Sequence, residues 1–300
     1  MRPTFRTLAA SVLLVGASSI TAVVMIRCRS GQRPSGELST IAGSPRQADG
    51  LLAWKPGVDE LASLGCELFL EPHSVRLVHS TRSLPLIIRF PAIRAVSAFG
   101  EPLGSELTNL VQLPELEELH IRRCDLPDSL TFLEQLSGLR VLRIASSNLR
   151  DEHLQNVRLT MPLRTFDLSY NAEISERAMT CLLNVRSLRM LDLTSTAVTT
   201  LDFLDGMSEL EELSLGQTRI SDADLGFLVG LANLHVLDLS GTRITDSAMN
   251  AIAGIKSLHR LDVRYTQVST DGVHRLKPSV GVSYHDERGN PSIREGCDCD

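Results

Sequence analysis

The sequence predicts an α/β solenoid. Three observations carry that expectation: a leucine-heavy pattern recurring every 22–25 residues over about 93–276, a second half of each unit with apolar residues at helical spacing, and a composition of 43% hydrophobic and 22% charged residues. The unit is apolar at positions 1, 4, 6 and 11 and usually holds Asn, Cys, Thr or Ser at position 9. Clear copies are Leu116, Leu119, Ile121, Cys124, Leu126; Leu139, Leu142, Ile144, Ser147, Leu149; and Leu188, Leu191, Leu193, Thr196, Val198. Further copies start at Leu210, Leu234 and Leu258. The copy at Leu163 has Asn171 at position 9 and Ile174 displaced by one inserted residue, and a degenerate copy starts at Ile93. Positions 4 and 6 point inward from a short strand, and one unit cannot shield that surface alone, so neighbouring units must stack. The polar position 9 can satisfy backbone groups where the chain leaves the strand; Thr or Cys does so less well than Asn.

The register LxxLxLxxNxL resembles that of leucine-rich repeat proteins. The resemblance implies a right-handed horseshoe of about eight repeats, with a parallel β-sheet on the concave face and helices on the convex face. The second halves, such as ISDADLGFLVGLANL with Leu225, Leu228 and Leu231 and ITDSAMNAIAGIKSL with Met249, Ile252 and Ile255, read as long helices. They resemble the ribonuclease-inhibitor-like and cysteine-containing classes, the latter familiar from F-box proteins. Ser221 and Thr245, each followed by Asp, read as helix N-caps.

The order of segments follows from composition. Arg2 and Arg6 precede a run without charge, Leu8 to Ile26, and Arg27, Arg29 and Arg33 follow it. As a helix this run would span roughly 29 Å, close to the hydrocarbon thickness of a bilayer. Residues 1–27 therefore read as a signal or transmembrane anchor, with cleavage near Ala17 and Ser19 and a buried core helix as the alternatives. Residues 28–52 read as a flexible linker, 53–92 as an N-terminal cap with an amphipathic helix from Gly57 to Leu68, 93–276 as the repeat domain and 277–300 as a polar tail. By analogy with exported proteins, the repeat domain is expected outside the cytoplasm, anchored by the one N-terminal helix or secreted after cleavage.

Outward strand positions 3, 5, 7 and 8 offer the candidate binding surface. Arg122, Arg123 and Arg143 sit on adjacent strands, with Arg140 and Arg164 near the strand entrances, whereas Asp167, Asp192, Asp238 and Asp262 occupy position 5 later on. Glu212 joins the later set, and Arg260 and Arg264 interrupt it. The face is thus expected to be basic early and acidic late, with Tyr170 and Tyr265 as exposed aromatic anchors and Phe99 at the weakest repeat. Three cations on neighbouring strands repel unless something anionic is near, while the aspartates are also what a solvated LDLS consensus would carry.

Neither the net charge of −6 nor the 4% of aromatic residues suits a nucleic-acid binder. No nucleotide-binding loop, nucleophile elbow or zinc-protease motif occurs, and the 8 histidines do not cluster with the 6 cysteines. Cys297 and Cys299 fall short of a tetrahedral metal site. The sequence therefore predicts a monomeric, non-enzymatic module without metal or cofactor that recognises a partner protein on its concave face. A ubiquitin-ligase-type substrate receptor is the alternative, and the segments before residue 93 leave no room for an F-box.

Overall fold

A computed structural model describes residues 93–100, 102–285 and 289–296, together with the backbone of 24–25, 67–71 and 74–78. Within it, thirteen strands form one sheet in chain order. They are β1 (Val24–Met25), β2 (Glu67–Glu71), β3 (Ser74–Val78), β4 (Ala95–Phe99), β5 (Glu118–Arg122), β6 (Val141–Ala145), β7 (Thr165–Asp167), β8 (Met190–Asp192), β9 (Glu212–Ser214), β10 (Val236–Asp238), β11 (Arg260–Asp262), β12 (Gly281–His285) and β13 (Pro291–Arg294). From β3 to β12 every pairing is parallel and in register, for example Leu191↔Leu213 and Leu213↔Leu237; β1, β2 and β13 pair antiparallel at the two ends.

The inside and outside of the sheet follow the repeat. Leu119, Leu142, Phe166, Leu191, Leu213, Leu237 and Leu261 at position 4 are all 1% exposed or less, and their outward neighbours at positions 3 and 5 are half-buried or exposed. Ile174 is buried despite its one-residue displacement, so the insertion is absorbed without moving an apolar side chain out of the core.

The chain leaves each strand through one recurrent turn. Position 8 takes a left-handed backbone in all eight copies, at Gly100, Arg123, Ser146, Tyr170, Ser195, Gln217, Gly241 and Tyr265, with φ between 52° and 76°. That conformation aims the position-8 amide at the next coil: Ser146 N–H donates to Ser169 O at 3.0 Å, Tyr170 N–H to Thr194 O at 2.8 Å and Gln217 N–H to Ser240 O at 2.7 Å. An L side chain in this region is strained, and among the described residues Ser146 makes no side-chain hydrogen bond that would offset it. Ser146→Gly is therefore expected to stabilise the fold by about 1 kcal/mol, read as a rise in the denaturant midpoint.

Behind the strands the expected long helices are replaced by short ones. The segments are mostly 3-10 helices, the longest being Asp222–Gly230, with α1 (Asp151–Leu154), α2 (Met249–Ala253) and α3 (Thr270–His274) each a turn or so long. The physical reason lies in the sequence itself. Leu225, Leu228 and Leu231 recur at every third position, the period of a 3-10 helix, and all three are buried while Phe227 and Val229 are exposed. A 22–25-residue unit also leaves too little chain for a long α-helix once strand and turns are made.

Ser221 and Thr245 stand at N-caps as expected, with Ser247 N–H donating to Thr245 Oγ1 at 3.2 Å. The acid after each cap ties one coil to the next. Asp222 accepts from Thr245 N–H and O–H at 2.7 and 2.6 Å, and Asp246 accepts from Ser269 N–H and O–H at 2.7 and 2.6 Å. Asp151 holds Ser175 in the same way.

The Ser269 hydroxyl, followed by its amide, holds the Asp246 carboxyl below the ordinary carboxylate range. A depressed pKa contributes stability that is present above the unfolded value, about 3.9, and is lost as pH falls through the lower folded value. Asp246→Asn is expected to lower Tm by about 2–4 °C at pH 7 and to flatten the loss of stability below about pH 4. Thermal melts of both proteins across that range check the sign.

Both ends depart from expectation. Residues 67–68, placed on an amphipathic helix by their apolar stripe, begin β2; the alternation in ELFLE and SVRLV, separated by Pro72 and His73, favours a hairpin. Residues 57–66 and 297–300, Cys297 and Cys299 among them, lie outside the described residues. The segment read as a polar tail carries β12, which continues the parallel ladder with Val282 inside, and β13, which folds back on it. Arg294 secures that end by donating to the carbonyls of Val273, Lys277 and Val280 at 2.8–3.0 Å. Of the apolar run Leu8–Ile26, only Val24–Met25 is described, paired with Leu70 and Phe69, and no helix among the described residues is long and apolar enough to cross a membrane.

Candidate functional site

The open face of the sheet is assembled by register alone. Arg122 is the register partner of Phe99 and Ala145, and Arg143 that of His120 and Asp167, so successive outward residues form columns across the strands about 4.8 Å apart. Position 5 reads Ser97, His120, Arg143, Asp167, Asp192, Ser214, Asp238, Asp262 from β4 to β11. Position 7 reads Phe99, Arg122, Ala145, Ser169, Thr194, Gly216, Ser240, Arg264.

The basic candidates lie together on β5 and β6. Arg122 and Arg123 are exposed and Arg143 half-buried; the Arg123 guanidinium lies 5.7 Å from the centroid of the Phe99 ring. His120 Nε2 stands 3.2 Å from Glu118 Oε2.

The acidic candidates have a local task that spacing alone did not reveal. Asp167 Oδ1 accepts from the Ser169 amide at 2.9 Å and hydroxyl at 2.6 Å, Asp192 Oδ1 from the Thr194 amide at 2.9 Å and Asp238 Oδ1 from the Ser240 amide at 2.8 Å. Each carboxylate thus fixes the turn two residues on. The recurring Asp-Leu-Ser or Asp-Leu-Thr was the available signal, since Asp commonly caps its own backbone in this way. Asp262 accepts from the Arg264 amide in the same way, at 3.0 Å, and in addition the Arg264 guanidinium grips both its oxygens. Burial, with Asp167 and Asp238 adding like charge, pushes the Asp192 carboxyl above its usual range despite the Thr194 hydrogen bonds.

The aromatic candidates stand apart. Tyr170 is 55% exposed at the middle of the sheet and Tyr265 74% exposed near its end. Tyr265 packs its ring on His285, with centroids 4.5 Å apart, and its amide donates to His285 Nδ1 at 3.0 Å. His285 lies in the segment expected to be a polar tail, where the sequence groups it with Cys297 and Cys299 as the nearest chemical candidate; its place on β12 against Tyr265 is not what that expectation implies. Cys181 is fully buried and its thiol is pushed up to about 12, which leaves it a packing residue without nucleophilic character at neutral pH. Among the described residues no group of three or more His, Cys, Asp and Glu side chains could hold a metal ion.

Comparison with known proteins agrees with this geometry. Residues 208–268 match the leucine rich repeat family. No curated protein matches the sequence. Among solved structures, the chain is similar to an internalin (inlF) from Listeria monocytogenes at 20% identity and TM-score 0.60, over 79% of this chain and 68% of the internalin. A second Listeria monocytogenes structure, internalin C2, aligns at 22% identity and TM-score 0.51 over 68% of this chain and 84% of its own. The mouse RP105/MD-1 complex aligns at 17% identity and TM-score 0.50, over 59% of this chain and 30% of that one. At such identities the likeness establishes the fold, and the fold is that of a leucine-rich repeat protein.

Proposed function

We propose that the protein is a non-enzymatic recognition module that docks a partner protein on the open face of its sheet. The observation that carries this reading is the outward array of Arg122, Arg123, Arg143, Asp167, Asp192 and Asp238, which have no ion-pair partner among the described residues, on the same sheet as the exposed rings of Tyr170 and Tyr265. The fold is consistent with a protein-interaction scaffold, and the mouse structure of the same fold is a complex. Reversing Arg122, Arg123 and Arg143 to Glu tests it. With the full chain as bait, partner capture is expected to fall about tenfold while the circular dichroism spectrum is unchanged, because Arg122 and Arg123 are exposed and Arg143 stands on the outward side of β6. Equal capture by both proteins would overturn the reading.

Localisation belongs to the same proposal. Its support is the uncharged run Leu8–Ile26 between arginines, read as a membrane anchor or a cleaved export signal with the repeat domain outside the cytoplasm. Fractionation of the full chain, with the N-terminal residue of the mature form determined, decides between anchor and cleavage.

A further inference from the structure

We propose that the open face takes one extended polypeptide segment that is itself bipolar, acidic where it crosses β5 and β6 and basic where it crosses β7 to β10. The inference rests on the partner-binding reading above and specifies the chemistry of the partner.

Five of the other arginines are paired with a carboxylate. Arg94, Arg140, Arg150, Arg189 and Arg264 each lie 2.5–3.7 Å from a carboxylate, Glu115, Glu117, Glu173, Glu211 and Asp262 respectively. Arg122, Arg123 and Arg143 have no such partner among the described residues, as is also true of Arg158, Arg164, Arg177, Arg219, Arg243 and Arg260; what distinguishes the three is that they gather on β5 and β6 of the open face, with Asp167 the register neighbour of Arg143. Cations gathered on neighbouring strands are eased by an anionic occupant.

The acidic half is equally uncompensated. Asp167, Asp192 and Asp238 each engage a backbone amide through Oδ1, and no Lys or Arg pairs with any of them among the described residues. Asp262 is neutralised by Arg264 and drops out of the set. The raised proton affinity of Asp192 reports both its burial and the like charges beside it, and an arriving cation relieves the second of these.

Shape and length agree with an extended occupant. The floor beside the position-5 charges is low, since position 7 is Ala145, Ser169, Thr194, Gly216 and Ser240 on β6 to β10. At about 4.8 Å per strand, β5 to β10 spans roughly 24 Å, which about seven extended residues cover at ~3.3 Å each. The sign changes between β6 and β7, so a ligand of one sign gains on one half and is repelled by the other.

Fluorescence anisotropy of the full chain with four labelled synthetic peptides tests this. Each has about eight residues: three Glu and three Lys separated by a two-residue Gly/Ser spacer, the same with the order reversed, an all-Glu version and an all-Lys version. One bipolar peptide is expected to bind about tenfold more tightly than either single-sign peptide at low salt. The triple substitution Asp167→Asn, Asp192→Asn, Asp238→Asn keeps the oxygens that hold the turns and removes the charge; it should abolish that preference and strengthen all-Glu binding. An all-Lys or all-Glu peptide that equals the better bipolar one overturns the proposal, as does failure of all four to bind. If the peptides fail while the Arg122, Arg123, Arg143 reversal still lowers partner capture, bipolarity is wrong and the docking face stands. A bipolar preference that survives the triple substitution places the peptide site elsewhere and overturns this proposal, while the arginine reversal alone decides the docking reading.

Discussion

Leu213→Asp is expected to lower Tm by at least about 10 °C, or to split the melt into two transitions. Leu213 is 0% exposed on β9, with Leu191 and Leu237 as its register partners on either side. Losing a buried Leu costs about 2–5 kcal/mol by itself, and a carboxylate left there without a partner adds several more. In a fold of this size 1 kcal/mol moves Tm by about 2–4 °C. Because each coil contacts only its neighbours, the damage should be local, opening the coils around β8 to β10 before the ends. Asp238→Ser, one strand over on the opposite face, is the contrast. It loses the carboxylate that accepts from the Ser240 amide, but the new hydroxyl can accept in its place and the repulsion with Asp192 is relieved. Its stability should stay within about 1 kcal/mol of the parent. Denaturant melts with hydrogen exchange resolve both effects; equal melting of the two variants would refute the assignment of inner and outer positions.

What the sequence made legible was whatever the repeat enforces. Leucines at positions 4 and 6 had to be buried together, so strand positions, the parallel register and the outward columns could be read from spacing. The helix type could have been read and was not: Leu225, Leu228 and Leu231 fit an amphipathic α-helix loosely and a 3-10 helix closely. The ends were hidden for another reason. β12 starts a shortened unit whose inward residues are Val280, Val282 and Tyr284 instead of leucines, so the periodicity fails where the ladder continues. At the candidate site, charge and exposure were legible because outward residues alternate with the core. The hydrogen bonds of Asp167, Asp192 and Asp238 were legible only through the recurring Asp-Leu-Ser or Asp-Leu-Thr, because outward alternation reports that a carboxylate is exposed and not that it accepts from the amide two residues on.

The polar slot at position 9 yields the second large effect. Thr196, Thr218 and Thr242 each donate one hydrogen bond, at 2.6 Å, to the position-6 carbonyl of their own coil. Asn171, 1% exposed, instead joins two coils. Its Nδ2 donates to Ile144 O at 2.7 Å and Leu168 O at 2.8 Å, and its Oδ1 accepts from the amides of Ser147 at 2.9 Å and Leu149 at 3.1 Å. Asn171→Ala would leave buried backbone groups of both coils without partners, at about 1–3 kcal/mol for each that water cannot reach. A loss of about 3 kcal/mol or more is expected, together with faster hydrogen exchange at the Ser147 and Leu149 amides. Asn171→Thr separates the two functions of the amide: it can restore the bond to Leu168 O, as the other threonines do in their own coils, but cannot reach back to β6. It should therefore fall between the parent and the Ala variant in stability while exchanging as fast as the Ala variant at those two amides. Parent-like exchange in the Thr variant would mean that the bridge between coils contributes nothing, and that position 9 serves only the turn in which it sits.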